Sequence, residues 1–494
     1  MTEFTSINLS LVSHTNVGKT TLARTLLKRD IGEVRDRPHV TALPEPHVMI
    51  EDAVGGKLIL WDTPGFGDSV RLAKRLSERS NPIGWFIAEI WDRWASRPLW
   101  SSQQAMKNVR DQSDVVLYLV NASENPAETT YVDAEMQILS WIGKPVLVLL
   151  NQMGKPRPQA VEEAERSQWV RFLDRFPLVA SVLPLDAFAR CWVQELALFD
   201  AIGQALPPGR QPGFRALQSA WIGQRVDAYE GSVQAIGKYL ALLAKAVERV
   251  ESPDVLGKVK SLGRKIGWAT GDEQTPESIA MARLAESAAK ALKSLTDQLI
   301  ELNGLKGEAA QEILKRLQRD LDINEEVSAT GAAVVGAVLS GAISGLATDL
   351  LAGGLTGGAG MLAGAVLGGL GFAALAKGYN LSSGKDGTTV RWNADAMARF
   401  FSDALLLYLA VAHFGRGRGE WSRSESPAHW REEVGKICAN DGANLAKTLA
   451  VISGTDEHTL AQQFSAAAGW GIRSTLARLY PATQMPQGKV EGGT

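Results

Sequence analysis

The most regular feature of the chain is a set of apolar runs separated by helical stretches. Ile7-Asn8-Leu9-Ser10-Leu11-Val12 reads as a buried strand that feeds a Gly-Lys-Thr turn and then a helix, Thr20 to Arg29. Val115 to Val120 and Val146 to Leu150 are continuous apolar runs, the pattern of central parallel strands covered on both faces. His47 to Glu51 and Lys57 to Trp61 predict a hairpin around Gly55-Gly56, and Val179 to Leu185 a last strand. Strands alternating with helices predict an α/β domain over residues 1–205, with a mostly parallel sheet and helices on both faces.

The period changes after Pro207-Pro208-Gly209-Arg210-Gln211-Pro212-Gly213, a Pro/Gly linker over 206–213. Ile222, Val226, Tyr229, Val233, Ile236, Leu240, Leu243 and Val247 are spaced alternately by four and three residues. That 3.5-residue period is the seam of a coiled coil or a long helical hairpin. A second helix opens at Thr275-Pro276-Glu277, where Thr can cap and Pro takes the first helical position. Met281, Leu284, Ala288, Leu292, Leu295, Leu299 and Leu302 lie along one of its faces. Residues 214–326 therefore read as all-α, either a stalk or an intramolecular bundle.

Between Glu326 and Lys377 the one charged residue is Asp349, which leaves uncharged runs over 327–348 and 350–376. Each is long enough to cross a hydrocarbon core as a helix. Gly353-Gly354 and Gly357-Gly358 form a natural turn between them, and Gly360, Gly364 and Gly368 recur every fourth residue in the manner of a glycine zipper. The strong apolar residues of the first run supply roughly −2 to −4 kcal/mol toward insertion, so Asp349 must lie near an interface. The expectation for 327–377 is an apolar helical hairpin that associates with membrane lipid through 331–376; the alternative is a hairpin buried in protein. Residues 378–480 read as a C-terminal helical region, with Ala404 to Phe414 too short to span, and 481–494 as a tail.

Composition changes this picture little. With 52 basic and 54 acidic residues the net charge is −2, which supplies no general attraction to nucleic acid, and no nucleic-acid partner is expected. Cys191 and Cys438 lack metal-ligand spacing and read as buried thiols in a reducing compartment. The N-terminus lacks a basic, apolar and cleavable leader, so the first domain is expected in the cytoplasm, at the inner membrane if 331–376 associate with it.

The chemistry is concentrated in Ser13-His14-Thr15-Asn16-Val17-Gly18-Lys19-Thr20, between a strand and a helix. A phosphate-binding loop needs that setting, because backbone N–H groups and the helix N-terminus must converge on phosphate oxygens. Gly18 allows close approach, Lys19 neutralises the β- and γ-phosphates, and Thr20 can ligate Mg²⁺. Ser13 replaces the usual first glycine. Asp62-Thr63-Pro64-Gly65 follows a strand, so Asp62 can hold the metal through water and the Gly65 N–H can sense the γ-phosphate. Thr41 lies in the loop before the second strand, where its hydroxyl can reach the metal.

Asn16-Val17-Gly18-Lys19-Thr20-Thr21-Leu22 together with Trp61-Asp62-Thr63-Pro64-Gly65-Phe66 resembles the Era/TrmE-type branch of translation-factor-related GTPases over roughly residues 5 to 205. The order of G domain, helical segment and Gly-rich segment is similar to a group of bacterial GTPases with an uncharacterised C-terminal domain. The resemblance implies a P-loop G domain that binds Mg²⁺ and GTP through Asn16, Val17, Gly18, Lys19, Thr20 and Thr21. Lys19, Thr41 and Gly65 then act on the γ-phosphate, and Thr20, Thr41 and Asp62 on the metal. Asn16 occupies the position that helps ligate K⁺ in potassium-activated members. Phe66 stands where Ras-like enzymes place a water-orienting Gln, so hydrolysis is expected to be slow without a cation, a partner or dimerisation. The guanine-reading motif is Asn-Lys-x-Asp in the family and Asn151-Gln152-Met153-Gly154 here. Asn151 is retained, and Asp186-Ala187 sit where the last base-contacting loop lies. Gly154 cannot accept from the guanine N–H groups, which leaves ATP tolerance beside GTP.

Three functions follow from these readings. The first is a GTP-hydrolysing switch on the cytoplasmic face of a membrane that regulates a partner protein. The second is a dynamin-like mechanical GTPase with nucleotide-dependent self-association, and the third a soluble ribosome- or RNA-assembly GTPase. Trp85, Trp91, Trp94 and Trp100 crowd the segment after Gly65, as core or as a docking surface.

Overall fold

The computed structural model describes residues 6–15, 17–28, 31, 43–88, 97–151, 159–185, 191–250, 276–305, 379–384, 387–413, 430–438, 455–481, 483 and 485–486. The chain divides into two compact units, one of residues 1–226 with 413–420 and one of 227–412 with 421–494.

The first unit holds a six-stranded sheet in the order β2-β3-β1-β4-β5-β6. Its strands are β1 (Ser6–Ser13), β2 (Glu45–Glu51), β3 (Lys57–Asp62), β4 (Val115–Asn121), β5 (Val146–Asn151) and β6 (Val179–Pro184). All neighbours run parallel except the β2–β3 hairpin. Around them lie α1 (Lys19–Leu27), α2 (Ser69–Ser77), α3 (Pro82–Ala88), α4 (Arg97–Asp111), α5 (Thr130–Ile142), α6 (Gln159–Leu173) and α7 (Trp192–Ala205). Every residue of β5 is buried, and so are Val115 to Val120 of β4, which is why these strands read as unbroken apolar runs rather than alternating ones. The chain leaves β1 toward β3 on one side and later returns to β4 on the other. The carboxyl end of β1 is therefore the switch point at which open α/β sheets bind ligands.

The Pro/Gly linker is shorter than its composition predicts. Helix α7 closes at Leu206, and α8 (Gln211–Lys245) begins inside the linker with Pro212 and Gly213 in its first turn, a place where a missing N–H is tolerated.

The second unit contains the later part of α8, α9 (Pro276–Leu302), α10 (Ala394–Ala412), a helical segment 430–438 and α11 (Glu457–Leu479). It also contains a three-stranded antiparallel sheet, β7 (Val247–Arg249), β9 (Gly387–Trp392) and β8 (Tyr379–Gly384), in that order. This corrects the all-α expectation. Val247, counted above as the last seam position, belongs to a strand and is 38% exposed. Residues 379–384 and 387–392 pair antiparallel out to Gly384 and Gly387, a pairing that a helical reading passes over.

The seam positions Tyr229, Ile236, Leu240 and Leu243 are buried, but so are Ser232, Ala235, Tyr239 and Ala241 on other sides of α8. Burial around the helix is that of a bundle element, not of a coiled-coil seam. Close packing does the work: a Cβ on Gly237 would stand 2.0 Å from Ser465 Oγ and 2.5 Å from the Ala461 carbonyl of α11. Tyr229 donates to the Gly469 carbonyl at 2.8 Å and accepts from Arg473 Nε at 3.1 Å. Trp392 and Phe400 meet edge to face at 4.8 Å. Ala404, Leu405, Leu407, Tyr408, Leu409 and Val411 are buried in α10, so the apolar run that begins at Ala404 is core. Among the described residues no helix is long and apolar enough to cross a membrane. The Gly-rich stretch 327–377 lies outside the described residues.

Candidate phosphate and magnesium site

Helix α1 starts at Lys19 behind Gly18, whose φ of 94° lies in the left-handed region. Glycine takes that conformation without a Cβ penalty, and here a Cβ would also stand 2.9 Å from Asn151 Nδ2. The turn aims the N-terminus of α1, with its positive dipole end, at the space above β1. Asn151, buried at the end of β5, donates from Nδ2 to the Val17 carbonyl at 2.7 Å. This sequence-selected residue thus holds the loop.

Lys19 is almost fully buried, and its Nζ donates to Ser13 Oγ at 2.9 Å and to the His14 carbonyl at 3.4 Å. Burial pushes its ammonium down to about 8, against the opposing pull of Asp62 and then Glu135. A Cβ on Gly65 would come within 3.0 Å of Lys19 Nζ and 3.1 Å of Thr15 Cα. Glycine therefore keeps the backbone of the Asp62–Gly65 segment against the ammonium. Thr20 Oγ1 donates to Asp62 Oδ2 at 2.7 Å. A hydroxyl and a carboxylate at that spacing, beside a helix N-terminus, are the hard oxygen donors that Mg²⁺ takes alongside phosphate oxygens. The residues fit Mg²⁺ and a polyphosphate.

Of the residues selected from sequence, the structure brings together Val17, Gly18, Lys19, Thr20, Asp62, Gly65 and Asn151. Thr21 is buried in the first turn of α1. Asn16, Thr41, Asp186 and Ala187 lie outside the described residues, as does Gly154. Phe66 is fully buried in the core, and its N–H donates to the Ser13 carbonyl at 2.9 Å, so its side chain is a packing group. Trp85 packs partly buried on the same core with the Arg79 guanidinium 4.5 Å above its ring. Trp100 is partly buried, and Trp91 and Trp94 lie outside the described residues.

Sequence reasoning missed Ser13 as an acceptor for Lys19, and it missed Glu135. A partial signal for Glu135 was present: it falls three residues after Val132 and four before Leu139, both buried on one face of α5, although its partners are not readable from that spacing. Such a group in a core requires partners.

Residues 8–152 match the family described as "50S ribosome-binding GTPase", so the N-terminal unit is a P-loop GTPase-type domain. It is similar to GTPase Era of Clostridium botulinum strain Hall, at 26% identity over 179 residues, 36% of this chain and 51% of that protein. GTPase Era of Geobacter metallireducens is 24% identical over 206 residues, 42% of this chain and 57% of that protein. The chain thus spans about half the length of the curated relatives it matches. Among solved structures, Era in complex with MgGDPNP and nucleotides 1506–1542 of 16S ribosomal RNA matches at 19% identity, over 42% of this chain and 58% of that one. The TM-score there is 0.31, too low to carry an argument. Residues 172–470, more than half of the chain, match "Domain of unknown function (DUF3482)". By that match the chain belongs to the DUF3482 family.

Proposed function

We propose that the N-terminal unit binds Mg²⁺ and GTP and hydrolyses GTP, and that the chain works as a nucleotide switch that regulates a partner protein at the cytoplasmic face of a membrane. One observation carries the nucleotide part: Lys19, Thr20, Asp62 and Gly65 converge at the carboxyl ends of β1 and β3. Thr20 and Asp62, joined by Thr41, would hold the metal, which when bound neutralises charge on the β- and γ-phosphate oxygens. Lys19 and the N–H groups of the loop bind and orient the phosphates, while Asn16 would add a K⁺ ligand. Asn151, Asp186 and Ala187 would contact the base, with GTP favoured over ATP by the likeness to Era.

The membrane part rests on the uncharged runs of 331–376 alone. A second reading, a ribosome- or RNA-assembly GTPase, has the description of the matched family in its favour, and the earlier expectation of no nucleic-acid partner has only the net charge behind it. A dynamin-like machine would additionally self-assemble on lipid in a nucleotide-dependent way. Fractionation of tagged full-length protein, with and without detergent and a non-hydrolysable GTP analogue, separates the three. Membrane pelleting that survives a carbonate wash supports the first; co-sedimentation with ribosomes in place of membranes overturns it. Calorimetry in Mg²⁺ with GTP and ATP tests the nucleotide itself, and equal competition by ATP removes the GTP assignment.

A further inference from the structure

Glu135 of α5 is a carboxylate with no exposed side-chain surface in the core of the first unit. Its two oxygens go to different elements. Oε1 lies 2.8 Å from His14 Nδ1 in the phosphate loop, and Oε2 accepts from the hydroxyl of Tyr118, in the middle of β4, at 2.7 Å. Tyr131, one turn earlier on α5, places its ring 4.6 Å from the His14 imidazole and donates its own hydroxyl to Glu124 at 2.7 Å. His14 is thus gripped at one nitrogen and on one face. It is also the residue whose carbonyl accepts from Lys19, and it follows Ser13, whose hydroxyl accepts from the same ammonium.

A buried carboxylate is expensive unless its lone pairs are matched, and a Leu or Met would fill this place in α5 with less penalty. Such a group is therefore expected where it defines a geometry. Among the described residues the loop has other ties, such as Asn151 to the Val17 carbonyl and the Phe66 N–H to the Ser13 carbonyl. Neither of them fixes the His14 side chain. Both come from segments that also belong to the recognised nucleotide motifs, whereas Glu135 belongs to none.

We infer that Glu135 is a positioning residue for phosphate binding, a two-ended hydrogen-bond clamp that fixes His14 against β4 and α5 and so sets where the Lys19 ammonium stands. The inference rests on the nucleotide reading given above. With the clamp released, the loop keeps its sequence and its Asn151 tie but loses the orientation of its first turn. The contact that suffers is the one to the β-phosphate, which Lys19 holds, and not the contacts to the α-phosphate or base.

The test is calorimetry of the full chain in Mg²⁺ with GDP and with GMP. Glu135→Ala should weaken GDP by roughly tenfold or more, as removal of a supporting partner does elsewhere, and leave GMP unchanged. Glu135→Gln keeps an oxygen for the Tyr118 hydroxyl and an N–H for His14 Nδ1, and should recover most of the GDP affinity. His14→Ala, at a residue already partly exposed, should lower the GDP-to-GMP ratio like Glu135→Ala, and the double variant should be no worse than either alone. If Glu135→Ala does not fold, the His14→Ala and Glu135→Gln results decide. An unchanged ratio in folded His14→Ala overturns the clamp; so does equal weakening of GDP and GMP, or a Gln variant as weak as Ala. A wild-type chain that binds neither GDP nor GTP refutes the nucleotide reading itself, and the clamp with it; failure of the clamp alone requires wild-type binding.

Discussion

Thr20 and Asp62, 42 positions apart in the chain, meet through a 2.7 Å hydrogen bond from Oγ1 to Oδ2. The first turn of α1 and the end of β3 are thereby joined at the point where the loop from β1 opens. Replacing Asp62 by Ala should remove most of the Mg²⁺ dependence of triphosphate binding, a loss of roughly tenfold or more in affinity measured with the metal present. Calorimetry with and without Mg²⁺ checks it; equal affinities for wild type and variant at saturating metal would exclude Asp62 from the site.

Lys19 is a buried cation at the proposed phosphate site. Lys19→Ala should weaken GTP binding by more than about a hundredfold, the scale for truncating one partner of a desolvated charge pair. Undiminished affinity by calorimetry refutes the role.

Asn16 predicts a monovalent-cation effect. Exchanging Na⁺ for K⁺ at constant ionic strength should raise GTP turnover, followed as phosphate release. Equal rates in the two salts retire the K⁺ assignment.

Asp403 on α10 predicts a pH-dependent stability. Burial raises its carboxyl from 3.8 to about 7, against the opposing pull of Arg431 and Arg399, and it faces the Tyr239 phenol on α8. Because the folded value lies above the unfolded one, the folded chain holds more protons between those pH values. Stability therefore falls as pH rises from about 4 to 7 and stays lowered above. Asp403→Asn should then raise the unfolding free energy at pH 8 by on the order of 1–2 kcal/mol, a figure kept modest because the residue is only partly buried, with the gain vanishing near pH 4. Thermal melts at the two pH values measure it; a gain independent of pH would assign the effect to something other than the carboxylate.

Gly237 marks a close approach of α8 and α11. Gly237→Ala forces a methyl against the Ala461 carbonyl and should cost about 1–3 kcal/mol of stability, read by denaturant unfolding. An unchanged midpoint would mean that the two helices separate freely.

Much of the first unit was legible before the structure. Val115 to Val120 and Val146 to Leu150 announced central strands because both faces of such strands are dry. The hairpin β2–β3 and the start of α1 were marked by Gly55-Gly56 and Gly18. The second unit was less legible. Strands β7, β8 and β9 are three to six residues long, too short for a period to mark them, and β7 lies more than a hundred residues before its partner β9. Likewise α8 shows a seam in sequence although its other faces are buried too, since small residues such as Ala235 and Gly237 pack without looking apolar.

Sequence alone determined the phosphate loop, the strand that carries Asp62 and the helix that Lys19 begins, because a backbone cradle for phosphate is built from consecutive residues. Tertiary structure alone decided that Glu135, 121 positions from His14, reaches the loop, that Ser13 accepts from Lys19, and that Phe66 turns into the core. The reason is physical. The spacing of α5 can put Glu135 on the dry face of its helix, but only folding brings up the His14 and Tyr118 groups that match a buried carboxylate.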